Sequence, residues 1–194
     1  MRHGLLVVAL VLASPAFLLA HEGGSAAGLL SGLIHPISGF DHVLAMVAVG
    51  IWGAQLGQPA IWALPVTFPM VMALGGMFGL IGLPLPGVEV GIGLSALLLG
   101  LVVALERRPG LALAAALVGF FAVFHGHAHG AELPAGQSGL LYSIGFVAAT
   151  GTLHALGIAL GLIHRWESGR LTLRAAGAGI GLAGVWFIWS AVNG

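Results

Sequence analysis

The chain has 194 residues, of which 59% are hydrophobic and only 6% are charged, and its formal net charge is zero. A soluble domain carries about 25% charged residues, so this composition indicates an integral membrane protein whose solvent is mostly the lipid bilayer. The lack of Cys excludes disulfides and thiolate metal sites, and the lack of Lys excludes Schiff-base chemistry. The chain has no basic patch, and nucleic acid is therefore not expected as a partner.

Residues 1–20 have the pattern of a cleaved secretory signal peptide. Arg2 supplies a positive charge, an apolar run follows at Leu5–Leu12, and small residues up to Ala20 offer cleavage points. Cleavage after Ala20 would make His21 the new N-terminus, whose amine and imidazole could together chelate a metal. The alternative is that this run stays as an uncleaved helix, although it is short for a membrane span.

Six further segments are long and apolar enough to cross a membrane, which takes about 20 residues. They are continuously apolar rather than alternating, which favours helices over a β-barrel. The sequence therefore predicts an all-α membrane protein in which residues 21–194 form one compact bundle of six transmembrane helices. The predicted spans are roughly 36–56, 60–83, 88–105, 111–129, 138–163 and 171–192.

Two features of these spans predict how the helices pack. Three Gly-xxx-Gly pairs, at 75 and 79, 157 and 161, and 177 and 181, are typical of helices that approach each other closely. Pro65 and Pro69 lie in the second span, where they should kink the helix and free backbone carbonyls from their hydrogen bonds.

The positions of Arg predict the orientation of the bundle. All five Arg after the signal lie in two connections, at 107–108 and 165–174. With six spans, both connections are on one side, and the positive-inside rule makes that side cytoplasmic. The mature N-terminus and the C-terminus are then both on the outer side of the membrane. This orientation brings His35, Asp41, His42, Glu89, His125, His127, His129 and Glu132 to the outer face.

The segment H-P-I-S-G-F-D-H, from His35 to His42, combines two histidines with Asp41, the only Asp of the chain. Ionisable groups at membrane depth are costly and usually face a bundle interior or an aqueous path. His42 and Met46 share a helix face, and the Ser38-Gly39 turn could let His35 fold back towards His42. These residues are plausible ligands of a late first-row transition metal. The alternative is that both histidines only reach to interfacial water.

His125, His127 and His129 form a second candidate metal-binding tract. If the helix continues, His125 and His129 are one turn apart and can share one ion. In an extended loop, His127 would point away from the other two. Glu132 is a weaker candidate nearby. The alternative is a solvated polar loop that merely ends the helix.

Two isolated residues complete the candidate set. Glu89 lies at the start of the third span, where it could be a metal ligand or an ordinary acid favoured at a helix N-terminus. His154 lies well inside the fifth span, where it could be a deeper station on a permeation path or a histidine that hydrogen-bonds a neighbouring helix. Imidazole and carboxylate ligands without thiolate suit Ni(II), Co(II), Zn(II) or Cu(II), and the sequence does not choose among them.

Three segments resemble the HupE/UreJ family of bacterial membrane proteins. They are H-P-I-S-G-F-D-H-V-L-A-M at 35–46, P-G-V-E-V-G-I-G-L-S-A-L-L-L-G at 86–100 and F-H-G-H-A-H-G-A-E-L-P at 124–134. The resemblance implies an association with hydrogenase or urease gene clusters and their maturation proteins, and a role as a secondary nickel or cobalt permease. It also implies a core functional set and a second contributing set: His35, Asp41, His42 and Glu89, then His125, His127 and His129.

The leading hypothesis is therefore a secondary transporter that imports nickel, or cobalt, across the bacterial inner (cytoplasmic) membrane to supply hydrogenase or urease. The chain has no nucleotide-binding motif, so coupling to ATP would need a partner protein. The alternative is a membrane accessory or sensor protein that captures metal without transporting it. An intramembrane enzyme is disfavoured, because Ser38-Gly39 and His154 lack the G-x-S-G pattern of a Ser–His protease.

Overall fold

The computed structural model describes residues 25–133 and 136–194, and every regular element in this part of the chain is a helix. The predicted signal peptide and His21 lie outside the described residues. The all-α prediction is confirmed for the rest. The helices are α1 (Ser25–Ser38), α2 (Phe40–Leu56), α3 (Ala60–Leu80), α4 (Val88–Ala104), α5 (Leu111–Ala131), α6 (Gly139–Gly161) and α7 (Glu167–Asn193), with a 3₁₀ turn at Leu162–Arg165 after α6.

Several of these helices have the length and composition of membrane spans. Four qualify individually, namely α3, α5, α6 with its 3₁₀ turn, and α7. A fifth candidate is formed by α1 and α2 together, which meet at an angle of 81°. The remaining apolar helix, α4, has 17 residues. The chain is therefore a multi-pass membrane protein, as its composition predicts.

The first predicted span differs from the structure. The sequence predicts one helix over 36–56, but the backbone breaks at Gly39, whose φ of −91° and ψ of 111° are extended. Pro36 lies in the last turn of α1 and has no N–H to donate, and the Ser38 hydroxyl donates to the His35 carbonyl at 2.7 Å. The helix that precedes the break, α1, is absent from the predicted spans.

Small residues allow the helix pairs to pack closely. A Cβ at Gly75 or Gly79 would overlap backbone carbonyls of α5, so α3 and α5 meet almost backbone to backbone. Gly157 lies equally close to α2, and Gly177 lies against α4. The close approaches predicted from the three Gly-xxx-Gly pairs are confirmed. Another close approach, not predicted from the sequence, brings Gly32 of α1 against the Tyr142 carbonyl of α6.

The two ends of the bundle differ in their polar residues. At the end of α2 that carries Gln55, the amide Nε2 donates to the Val103 carbonyl at 3.2 Å. At the same end, Arg170 forms an ion pair with Glu106 at 3.3 Å. His42 begins α2 at the opposite end, about 20 Å away at 1.5 Å per residue. The Arg residues and the histidine motifs therefore lie at opposite ends of the bundle.

Candidate metal centre

Four histidines from three helices meet at one end of the bundle. We call His35 of α1, His42 of α2, and His125 and His129 of α5 the histidine cluster. The His129 ring centroid lies 4.7 Å from that of His35 and 4.4 Å from that of His42. The centroids of His42 and His125 are 4.6 Å apart. Two motifs that are more than eighty residues apart in the sequence thus form one imidazole cluster.

The fold of α5 explains which histidines join the cluster. The helix continues to Ala131, so His125 and His129 are one turn apart on the same face. Gly126 and Gly130 occupy a different face and pack against the backbone of α3. His127 does not join the cluster, because its Nε2 lies 2.8 Å from the Leu83 carbonyl in the loop between α3 and α4.

Asp41 fixes the tautomer of His42. The Asp41 Oδ1 atom lies 2.8 Å from His42 Nδ1 and also accepts the backbone N–H of His42 at 2.8 Å. An ionised carboxylate can only accept hydrogen bonds, so Nδ1 carries the proton and Nε2 keeps its lone pair. His42 Nε2 is buried and has no partner among the described residues. A carboxylate that orients a histidine in this way is a common feature of metal sites.

Ser95 of α4 fixes the tautomer of His125, although the sequence analysis did not identify Ser95 as a candidate. Its hydroxyl donates to the Ile92 carbonyl at 2.7 Å and lies 2.8 Å from His125 Nε2. Because the single hydroxyl proton is already used, His125 Nε2–H donates to Ser95. His125 Nδ1 therefore keeps a lone pair, and this buried atom has no partner in the described part of the chain.

His129 is the central member of the cluster. Its side chain is almost completely buried, and neither ring nitrogen is hydrogen-bonded to any described residue. A buried polar atom without a partner costs about 1–3 kcal/mol. His129 can offset this cost by sharing a cation with the available lone pairs of His42 and His125. The arrangement therefore has the chemistry of a nitrogen-rich metal site.

Carboxylates surround the opening above the cluster. His35 Nε2 lies 3.0 Å from Glu132 Oε2, and ligand atoms of His35, His129 and Glu132 all lie within 4.8 Å of one another. A cavity of about 240 Å³, which we call the vestibule, reaches from this group to Asp41 and Glu89. Glu89 is exposed, whereas Asp41 is partly buried. Fixed negative charges at such an opening raise the local concentration of cations.

The other candidates lie away from the vestibule. Met46 is completely buried in the apolar core. His154 of α6 is 2% exposed and lies deeper in the bundle. The Phe68 ring lies between the two sites, with its centroid 5.4 Å from that of His125 and 5.5 Å from that of His154.

Comparison with known proteins agrees with the motifs at this end of the bundle. The family described as HupE / UreJ protein matches residues 7–187. Protein HupE of Rhizobium leguminosarum bv. viciae is 48% identical over 173 residues, which is 89% of this chain and 91% of the relative. No solved structure matches the chain significantly.

Proposed function

The chain belongs to the HupE/UreJ family, and from this premise we propose that it is a secondary transporter that imports a divalent transition metal. Members of this family are hydrogenase and urease accessory proteins rather than enzymes. Nickel is the proposed cargo and cobalt the second choice, because the resemblance to the HupE/UreJ family implies these two ions and the imidazole and carboxylate ligands suit both. The proposed destination is a hydrogenase or urease and its maturation proteins.

One observation carries this proposal. His42 Nε2, His125 Nδ1 and both nitrogens of His129 are buried without hydrogen-bond partners among the described residues, and the His42 ring contacts the rings of the other two. Neutral imidazole with a fixed tautomer is the form that ligates metal. The acidic vestibule is lined by His42 and His129 and opens at one end of the bundle. Capture would begin at Glu89 and Glu132 and continue to the histidine cluster.

The proposed topology has six spans, with α1 and α2 as one broken span and α4 as a short one. The vestibule then faces the periplasm and the Arg-bearing connections face the cytoplasm, with both termini outside. Support for transport comes from the break at Gly39, because transporters commonly place discontinuous helices at their binding sites. Non-helical backbone at membrane depth is tolerated where protein buries it or where it lines a cavity.

A second candidate function is metal capture without transport, as an accessory or sensor protein. The observation that favours it is the position of the histidine cluster and all three vestibule carboxylates at one end of the bundle. The two functions differ in one measurable property, which is the movement of the ion to the opposite side of the membrane.

The experiment compares Asp41→Asn with Glu167→Gln in binding and uptake assays. Asp41→Asn keeps the size of the side chain but removes the anion that orients His42 and attracts the ion. We expect its Ni(II) affinity in purified protein to fall by about tenfold or more, with uptake into cells reduced in parallel. Glu167→Gln is the control, because Glu167 is an exposed acid at the start of α7, at the opposite end.

Each possible outcome separates the hypotheses. Loss of Ni(II) binding and uptake in Asp41→Asn, with both retained in Glu167→Gln, supports the transporter. Binding that depends on Asp41 without any uptake by the wild-type protein supports capture. Wild-type affinity in Asp41→Asn contradicts a metal centre at this position.

A further inference from the structure

Two buried polar side chains of α6 lie deep in the bundle and are not explained by the histidine cluster. His154 is 2% exposed and Thr150 is completely buried. Neither ring nitrogen of His154 nor the Thr150 hydroxyl is hydrogen-bonded within the part of the chain that the structure describes. Buried polar atoms in native proteins are nearly always paired, so each exception needs an explanation.

Two other hydroxyls on α6, those of Thr152 and Ser143, are hydrogen-bonded, whereas the Thr150 hydroxyl has no partner among the described residues. Thr152 donates to the Ala148 carbonyl of its own helix at 2.9 Å, and Ser143 donates to the Gly139 carbonyl at 2.8 Å. This bond to an earlier carbonyl is the usual way for a helix to satisfy a hydroxyl in lipid. Thr150 does not make it. Thr150 and His154 are one turn apart and therefore present their polar atoms on the same face of α6.

A third polar group comes from the backbone of α3. Pro69 lies inside this helix and has no N–H, so the Pro65 carbonyl lacks its usual partner four residues later. That carbonyl lies near the His154 imidazole, and neither ring nitrogen of His154 is hydrogen-bonded to a described residue. The freed Pro65 carbonyl of α3 therefore lies near an imidazole on the α6 face that also carries the Thr150 hydroxyl.

The position of this group relates it to the histidine cluster. Phe146 contacts His129 with ring centroids 4.3 Å apart. His154 is eight residues further along α6, which is about 12 Å deeper at 1.5 Å per residue. Phe68 is completely buried and contacts the rings of both His125 and His154. One aromatic ring therefore separates the histidine cluster from the deeper group.

We propose that His154, Thr150 and the Pro65 carbonyl form an inner station for the transported cation, which the ion reaches from the histidine cluster when the Phe68 ring moves aside. This inference rests on the proposed function, since it concerns the same divalent cation. Nitrogen and neutral oxygen ligands without a carboxylate would hold the ion weakly. Weak binding suits an intermediate station, because an ion that moves on must also be able to leave.

The test uses full-length protein in proteoliposomes with Ni(II) alone, and measures the initial uptake rate beside equilibrium binding on the same preparations. The variants are His154→Ala, Thr150→Val and Pro69→Ala, which restores the donor for the Pro65 carbonyl. Thr152→Val is the matched control, because it removes a hydroxyl that is already satisfied within its helix. Gel filtration and thermal unfolding in detergent confirm that each variant is folded.

We expect His154→Ala to lower the maximal uptake rate by about tenfold or more, which corresponds to a barrier raised by about 1.4 kcal/mol. Thr150→Val and Pro69→Ala should slow uptake to a smaller extent, and Thr152→Val should not. The affinity of the histidine cluster for Ni(II) should stay unchanged in all four variants. A purely structural role for His154 would change the unfolding temperature instead.

Uptake at the wild-type rate in folded His154→Ala would overturn the inner station and leave the proposed transport function intact. If His154→Ala does not fold, the result for Thr150→Val decides, and an uptake rate equal to that of Thr152→Val would overturn the proposal. A wild-type protein that binds Ni(II) but does not move it would refute the proposed transport, and the inner station with it.

Discussion

The Ser95 hydroxyl lies 2.8 Å from His125 Nε2, and this contact joins α4 to the histidine cluster on α5. Because the hydroxyl proton is donated to the Ile92 carbonyl, the contact leaves His125 with a defined tautomer and a free Nδ1. Asp41 gives His42 a defined tautomer in the opposite sense, with Nε2 free. Two helices therefore prepare two imidazoles of the cluster to ligate an ion.

We expect Ser95→Ala to weaken Ni(II) binding by about tenfold, as the loss of a group that orients a ligating histidine commonly does. The mutation leaves His125 free to rotate or to change tautomer while every nitrogen ligand remains present. Isothermal titration of purified protein measures the effect. Ser143→Ala is the control, because that exposed hydroxyl bonds only its own helix. Equal affinities in the two variants would show that His125 needs no support from α4.

The alternating histidines of α5 provide a second prediction. His129→Ala should abolish high-affinity Ni(II) binding, because His129 contacts both His35 and His42. His127→Ala should leave the affinity unchanged, because His127 bonds the Leu83 carbonyl outside the cluster. Titration of the two variants side by side makes the comparison, and each serves as the control for the other. A large loss of affinity in His127→Ala would contradict this division of roles.

The sequence predicted the convergence of the histidines for a physical reason. Alternating spans return the chain to the same face of the membrane every second crossing, so the motifs at 35–42 and 125–132 had to lie at one end. The sequence also predicted a turn at Ser38-Gly39 that could fold His35 back towards His42. In the structure the rings of His35 and His42 both contact the ring of His129.

Other features could not be predicted in this way. Helix α1 has only 14 residues, which is too short for a span. The one indication of it in the sequence was the pair of small residues Gly28 and Gly32 among apolar residues, which allows close packing against α6. Ser95 resembles any serine that bonds its own helix, and its second bond depends on how closely α4 approaches α5. The direction of His127 depends on whether the tract is helical or extended, which the composition left open.

A third prediction concerns the close packing of α3 and α5 that positions the histidine cluster. A Cβ at Gly126 would overlap the Met72 carbonyl, so Gly126→Ala must push the two backbones apart. We expect a destabilisation of about 1–3 kcal/mol, as for other overpacked sites. Gly151→Ala on α6 is the matched control, because nothing lies within 4 Å of the added methyl group and alanine is the better helix former. Thermal unfolding in detergent compares the two, and equal unfolding temperatures would contradict the packing argument.

The last prediction concerns the orientation of the bundle, which decides whether the vestibule receives metal from the periplasm. The chain has no Cys, so single cysteines can be introduced without a background signal. Ala131→Cys lies at the exposed end of α5 beside Glu132, whereas Gly110→Cys and Ser168→Cys lie near the Arg-bearing connections. In cells with a permeabilised outer membrane, an impermeant maleimide should label Ala131→Cys and should label the other two only after the inner membrane is disrupted. This expectation follows from the positive-inside rule, which places the Arg residues in the cytoplasm. Labelling of Gly110→Cys and Ser168→Cys in intact cells, with Ala131→Cys protected, would reverse the topology and would make the histidine cluster the exit of the path rather than its entrance.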